Sequence, residues 1–480
     1  MKDTNTGAVK ETNKSAIFSW LGTPPAGELI PLSLQHVAAM VIGCVTPAII
    51  IAGVCNLSSS DTVILIQSAL LISALITFMQ LFPIGNHMIG AGLPVIMGVS
   101  FAYLPTLISI GGQFNLATIF GAQLVGGIVA IIFGYFVKYL RPLFPPIVTG
   151  TVVFTIGLSL YPTAINYMAG GSGSATYGEP LNWAIAIFVL VVVVFLNNFT
   201  KGIWKLASIL FGIIAGYIVS LFFGLVDFSS IGTSAWVTIP PLMHFGYEFQ
   251  PAAIATMAIL YIVNSVQAIG DLSATTLGGM DREPTMEELS GGIIANGLGS
   301  VIGTLFGGLP TATYSQNVGI VSNNKVINRS VFALAAAIMA CAGFIPKFAA
   351  IFTSIPKCVL GGATVSVFAI ITMSGMRLIA QNKLTVRTTN IVGLSVALGV
   401  GISQVPECLD LFPSWVGMVF GGSPVVVSTI VAILLNLILP KDEAEEQPFE
   451  ETTEISSKPT KSRNSGKSKK ENPISNNKLL

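Results

Sequence analysis

The chain alternates long apolar runs with short polar breaks over 480 residues. Crossing the hydrocarbon core takes about 20 consecutive apolar residues. About fourteen stretches approach that length, near 32–54, 62–83, 93–109, 115–138, 146–166, 181–198, 203–226, 252–276, 291–308, 310–322, 329–351, 357–379, 389–405 and 415–439. The third and tenth are short and interrupted by polar or breaking residues, and the ninth and thirteenth are marginal. The pattern predicts an all-α polytopic membrane protein with a transmembrane region over 31–440. Segment 1–30 is expected to be a cytoplasmic N-terminal segment; its first 18 residues are polar and charged and hold no run that reads as a cleaved leader, so the first apolar run is expected to insert and stay. The tail, 441–480, runs from an acidic stretch (442–454) to a basic one (458–470) and is too polar to bury a core, so it is expected to be disordered and solvated.

Composition agrees with this reading. The chain is 52% hydrophobic and 9% charged, with a mean hydropathy of +0.78, whereas soluble proteins carry about 25% charged residues. The net charge of +1 matters less than where the charges lie. With an even number of spans and both termini cytoplasmic, Lys138, Arg141, Lys201, Lys205, Arg282, Lys325, Arg329, Arg377, Lys383 and Arg387 fall on the cytoplasmic side. Only Lys347 and Lys357 fall outside, the asymmetry that the positive-inside rule requires.

An internal repeat is visible. Gly92-Leu93-Pro94 opens the third segment and Gly308-Leu309-Pro310 opens the tenth. Seven segments per half is an odd number, so the halves are expected to run in opposite senses. Paired, Gly/Pro-broken short segments in an inverted repeat point to a transporter's binding site. The competing account is coincidence of a common tripeptide.

Candidate chemistry gathers at four places: Gln35-His36, Ser100-Phe101-Ala102-Tyr103, the eighth span, and Tyr314-Ser315-Gln316-Asn317. In the eighth span, Asn264, Gln267 and Asp271 follow one another around a helix, with Gln267 and Asp271 at i and i+4 on one face. Asp271 is the one carboxylate inside these apolar runs, and a charge at the bilayer centre costs roughly 2.5–3.5 kcal/mol on insertion scales. Glutamine, asparagine and backbone amides offer donors beside acceptors. That suits a planar heterocycle with alternating N–H and C=O groups, a purine or pyrimidine base, on which Phe101 and Tyr314 can stack. It suits an inorganic anion poorly, since that calls for Arg, Lys or helix N-termini. Structural alternatives stand beside each reading. His36 can bridge helices, Tyr314 can be packing, and intramembrane amides can be interhelical glue worth about 0.6 kcal/mol.

Enzyme signatures are missing: there is no GxSxG, HExxH, P-loop or Cys/His cluster. Cys44, Cys55, Cys341, Cys358 and Cys408 show no metal spacing. His87 and His244 read as loop or interface residues.

These residues resemble the nucleobase–ascorbate transporter family, in its bacterial uracil/xanthine permease branch. The resemblance covers nearly everything outside the tails. It rests on Gln35-His36, on Gly98 to Ala102, on Gln-Ala-Ile-Gly-Asp-Leu-Ser-Ala-Thr from Gln267, on Tyr314 to Gly319, and on Ile355 to Ala363. It implies fourteen segments in two inverted seven-segment repeats, with short strands in segments 3 and 10. Segments 1–4 and 8–11 would form a core, segments 5–7 and 12–14 a gate, and the core would move against the gate. It implies substrate contacts from Phe101, Gln267, Tyr314, Gln316 and Asn317, with Asp271 and His36 in coupling or structural roles. It further implies a homodimer, a proton or sodium as coupling ion, a plasma-membrane location, and neither cofactor nor nucleic-acid partner. One departure matters. Many members carry glutamate where this chain has Gln267, which cannot titrate. Asp271 then becomes the nearest group for proton coupling, ahead of a different ion or uncoupled transport. Gln316 is the residue type of purine-carrying members and favours xanthine or a related oxopurine. The alternatives are a uracil permease of the same fold and, from another class, a sulfate- or bicarbonate-type anion transporter. A non-transporting receptor is the third, and Asp271 and the broken segments argue against it.

Overall fold

The computed structural model describes residues 16–85 and 88–440; His87, residues 1–15 and the tail expectation for 441–480 lie outside the described residues. Among the described residues, nine helices are long and apolar enough to cross a membrane, by length and composition. The chain is a multi-pass membrane protein. In chain order the first helices are α1 (Ala26–Val54) and α2 (Ser59–Leu81), then strand β1 (Met97–Val99) with α3 (Leu104–Gln113) and α4 (Leu116–Leu140). Next come α5 (Pro146–Met168), α6 (Pro180–Phe199), the short α7 (Ile203–Leu206), α8 (Ser208–Phe222) and the short α9 (Ser229–Thr233). The second half holds α10 (Pro251–Met280), α11 (Met286–Phe306), β2 (Thr311–Thr313), α12 (Ser315–Asn324), α13 (Arg329–Gly343) and α14 (Pro346–Thr353). It closes with α15 (Lys357–Ala380), α16 (Val386–Gln404) and α17 (Pro424–Ile438).

The helices outrun the apolar stretches at their ends. The N-terminal turns of α1, α2 and α11 take in Glu28, Asp61, Glu287 and Glu288. Carboxylates there face the positive end of the helix dipole. At α11, Thr285 and Glu288 form a reciprocal capping box. Arg282 grips the same Glu288 carboxylate at 2.6 and 2.8 Å, and that partner raises its guanidinium pKa.

The run at 329–351, expected as one segment, is two helices bent by 80° between Gly343 and Pro346. Pro346 occupies the first turn of α14 and disfavours helical geometry in the residue before it.

Two groups of helices pack tightly. α4 lies on α10 and α11, while α13 lies on α1 and α2; α15 lies on α5 and α6, and α17 on α5 and α16. The α5–α15 contact is close because glycines meet backbone. A Cβ on Gly375 would overlap the Phe154 nitrogen, and one on Gly157 would overlap Thr372. Small residues let helices approach in lipid, where the hydrophobic effect supplies little drive between them.

The two chain breaks meet. β1 and β2 pair antiparallel, with Met97 opposite Thr313, Gly98 opposite Ala312 and Val99 opposite Thr311. The ladder extends through Ser100 N to Pro310 O (3.1 Å) and Tyr314 N to Ile96 O (3.0 Å). Each strand follows a Gly-Leu-Pro and leads into a ten-residue helix.

The α5–α15 contact yields a prediction. Gly375→Ala is expected to force the two backbones apart and cost about 1–3 kcal/mol. Thermal unfolding in detergent checks this, and an unchanged midpoint would contradict the close-approach account.

Candidate functional site

Beside the two-stranded sheet lies a cavity of about 430 Å³. Phe101, Gln267, Tyr314 and Gln316 all line it. Residues more than two hundred positions apart are brought together because β1 and β2 pair, and because α10 crosses behind them.

Tyr314 is fixed from several sides. Its hydroxyl donates to the Val99 carbonyl at 2.7 Å. A Cβ on Gly43 would lie 2.7 Å from its Cε1, and one on Gly98 would lie 2.5 Å from its Cε2. Glycine at both positions is therefore a packing requirement. The ring is almost buried, so only a small part of it reaches the cavity. Phe101 is equally buried and meets Phe368 of α15 edge-on, with centroids 5.2 Å apart.

Backbone donors add to the side chains. Among the described residues, no acceptor pairs with the N–H of Phe101, Ser315 or Gln316. The last two open α12, where the first N–H groups of a helix lack intrahelical partners.

Asp271 does not line the cavity. Its carboxylate accepts from Ser315 Oγ at 2.8 Å and from Thr313 Oγ1. It thus ties α10 to the residues on either side of Tyr314. Asn317 and His36 are also set back. Asn317 Nδ2 lies 3.0 Å from His36 Nδ1 and donates to the His36 carbonyl at 3.1 Å. Both side chains are buried, and the imidazole packs on Phe332 at 4.6 Å. The pair bridges α12 to α1. Asn264, a turn before Gln267, accepts from Asn296 at 3.2 Å, which in turn accepts from Thr311 at 2.8 Å. His244 pairs with Asp61 at 2.8 Å.

Sequence reasoning missed the wider part of the cavity, where Asn197, Asn323, Ser374 and Arg377 line the wall. A signal was present in Ser374 and Arg377, three apart on α15 and so on one face. Arg377 was read only as a topological charge.

A multi-pass fold with broken segments meeting beside a cavity of mixed polar and apolar lining is the class of a membrane transporter. Comparison with known proteins makes that specific. The xanthine/uracil permease model, described as "Permease family", matches residues 27–408. The chain belongs to this family, the nucleobase–ascorbate transporters, whose members are permeases rather than enzymes. It is 34% identical over 415 residues to the xanthine permease of Bacillus subtilis, covering 86% of this chain and 94% of that one. It is 35% identical over 414 residues to the uric acid permease PucK of the same organism, covering 85% and 95%. Among solved structures, the transmembrane domain of the cyanobacterial bicarbonate transporter BicA superposes with a TM-score of 0.54 at 14% identity, covering 85% of this chain and 97% of that one. At that identity the likeness concerns the fold alone.

The placement of neighbours Gln316 and Asn317 separates their roles. Asn317→Ala is expected to lose both bonds to His36 and lower stability by about 1–3 kcal/mol. Gln316→Ala, on the cavity wall, should stay within about 0.5 kcal/mol of the parent. Paired thermal melts of the two purified variants check this; equal losses would contradict it.

Proposed function

We propose that the chain is a secondary active transporter that takes up a purine base, xanthine or a related oxopurine, across the plasma membrane. The observation that carries this is the cavity joining Phe101, Gln267, Tyr314 and Gln316. The rim of an oxopurine alternates N–H and C=O groups. Each glutamine offers a donor and an acceptor, and the backbone N–H groups at Phe101, Ser315 and Gln316 supply further donors. Together they replace the water shell the base leaves behind, which matters because an unpaired polar group in an apolar site costs kilocalories. Phe101 and Tyr314 give the apolar walls that a flat ring requires. The names of the relatives, permeases for xanthine and for uric acid, support the oxopurine choice.

A uracil permease remains the reading nearest to this one, and Gln316 favours the larger base. The anion-transporter reading draws on the fold shared with BicA. The amides of Gln267 and Gln316 beside Phe101 and Tyr314, with Arg377 the one cation in the lining, weigh against it as the primary chemistry.

The architecture we infer is fourteen segments in two inverted repeats. The antiparallel strands, each after Gly-Leu-Pro and before a ten-residue helix, support it. In this reading α1 to α4 and α10 to α14 make the core, and α5 to α8 with α15 to α17 make the gate. The cavity has one wall from each, Phe101, Gln267 and Tyr314 against Ile156, Leu206 and Ile370. Sliding the core past the gate would carry the base across. Both termini are taken as cytoplasmic and the protein as a homodimer. Coupling is assigned to a proton through Asp271, ahead of another ion or uncoupled transport.

Uptake of radiolabelled xanthine by cells lacking their own purine and uracil permeases tests the reading. Saturable uptake is expected; no transport of any purine or uracil by correctly inserted protein would overturn it. Asp271→Asn is expected to abolish pH-driven accumulation while base exchange continues. Full concentrative uptake by that variant would remove Asp271 from coupling.

A further inference from the structure

A second cavity, of about 180 Å³, lies apart from the first. Its walls come from the last turns of α1 (Ile50, Gly53, Val54), the last turns of α5 (Thr163, Asn166, Tyr167), the loop after α5 (Gly171, Ser172), Ile108 of α3 and Lys357 at the start of α15. Lys357 is the one basic side chain there; Tyr167 is the other titratable lining group, and no carboxylate lines the cavity. Among the described residues the Lys357 ammonium has no hydrogen bond or ion pair. Its stem runs over Gly171, whose φ of +86° and missing Cβ make room for it. Thr163 and Ser172 belong to the same lining.

The position of this cavity is informative. Lys357 and Arg377 stand 20 residues apart on the single helix α15. At 1.5 Å per residue that is about 30 Å, the thickness of the hydrocarbon core. Each end of α15 therefore presents one cation to one cavity, Lys357 to the smaller and Arg377 to the larger. Neither lining includes a carboxylate, since Asp271 sits back behind Thr313 and Ser315. On the orientation proposed above, Lys357 is on the outer side, against the usual bias of basic residues toward the cytoplasm. Lys357 is exposed at this cleft, so a cation placed there against that bias is open to an incoming anion.

We propose that the Lys357 cavity is an outer capture site for the base in its monoanionic form, the enolate-like species that acidic oxopurines give on losing one N–H proton. The inference rests on the purine reading above and narrows it. Lys357 supplies the attraction, Thr163 and Ser172 supply neutral polar contacts, and Ile50, Val54 and Ile108 line the apolar side. A cleft of one sign of charge raises the local concentration of its ligand, and the gain falls with ionic strength. Walls drawn from α1 and α3 on one side and α5 and α15 on the other would separate when the two helix groups move, opening the way inward.

The test is xanthine uptake into right-side-out vesicles, measured for the parent, Lys357→Gln and Lys357→Arg at low and high salt and across the pH range in which xanthine ionises. The expected result is a rise in KM of roughly tenfold for Lys357→Gln at low salt, with the maximal rate little changed. That rise should grow with pH and shrink as salt is added, and Lys357→Arg should restore the parent KM. Should Lys357→Gln fail to reach the membrane, Ser172→Lys and Ser172→Asp in the same cavity are expected to lower and raise KM respectively. Parent-like KM and salt dependence in Lys357→Gln, or in both Ser172 variants, would overturn the capture site while leaving the purine reading standing. A parent protein that moves no purine would instead overturn the reading beneath it.

Discussion

A backbone N–H or C=O in the membrane interior must find a partner within the protein, because no water is there to supply one. Everything at the centre of this molecule follows from that constraint. The chain breaks its helices at Gly92-Leu93-Pro94 and Gly308-Leu309-Pro310, and each break leaves extended backbone. The two stretches satisfy one another by pairing, from Ser100 bonding to Pro310 through to Tyr314 bonding to Ile96. Polar side chains complete the accounting. Thr77 accepts from Met97 N at 3.0 Å, and the Thr311–Asn296–Asn264 chain supports β2 from behind. At the ends of the ladder the N–H groups of Phe101, Ser315 and Gln316 are left over, beside the cavity. The fold thus spends its pairing capacity on the strands and leaves donors where a solute can meet them.

The membrane-embedded character was legible from hydropathy alone, since a run of twenty apolar residues has few other uses in water. Helix ends were less legible. The eighth run, read as 252–276, is a helix from Pro251 to Met280. Its C-terminal turns look too polar for a span, yet Thr275 and Thr276 satisfy their hydroxyls on the carbonyls of Asp271 and Leu272. The bend before α14 had a visible cause in Pro346, but a hydropathy window averages across one residue. Within the site, Gln267, Gln316, Phe101 and Tyr314 were found because polar or aromatic groups at a chain break stand out against apolar surroundings. Adjacent residues on a helix point about 100° apart, so one of Gln316 and Asn317 had to turn away; which one depends on helix phase, and the sequence does not carry it. Arg377 escaped for a related reason. A cation at the end of a span reads as a topology marker until a neighbouring helix group makes it a wall.

The set-back position of Asp271 changes what proton coupling would require on the proposed function. A carboxylate touching the base could sense it directly, and Gln267 cannot titrate in its place. Asp271 instead accepts from two hydroxyls, Thr313 before Tyr314 and Ser315 after it. An ionised carboxylate is acceptor-only and holds both donors at once. A protonated one must place its own O–H and accepts less strongly, so its hold on those hydroxyls weakens. The segment between them carries Tyr314 and leads straight into Gln316, two of the cavity's walls. Protonation would therefore act on the base through the geometry of the β2–α12 junction rather than through contact. In that arrangement the amide at Gln267 is no handicap, because the titrating group and the recognising groups are different residues, with Asp271 tied to Thr313, Ser315 and Gln267 by side-chain hydrogen bonds.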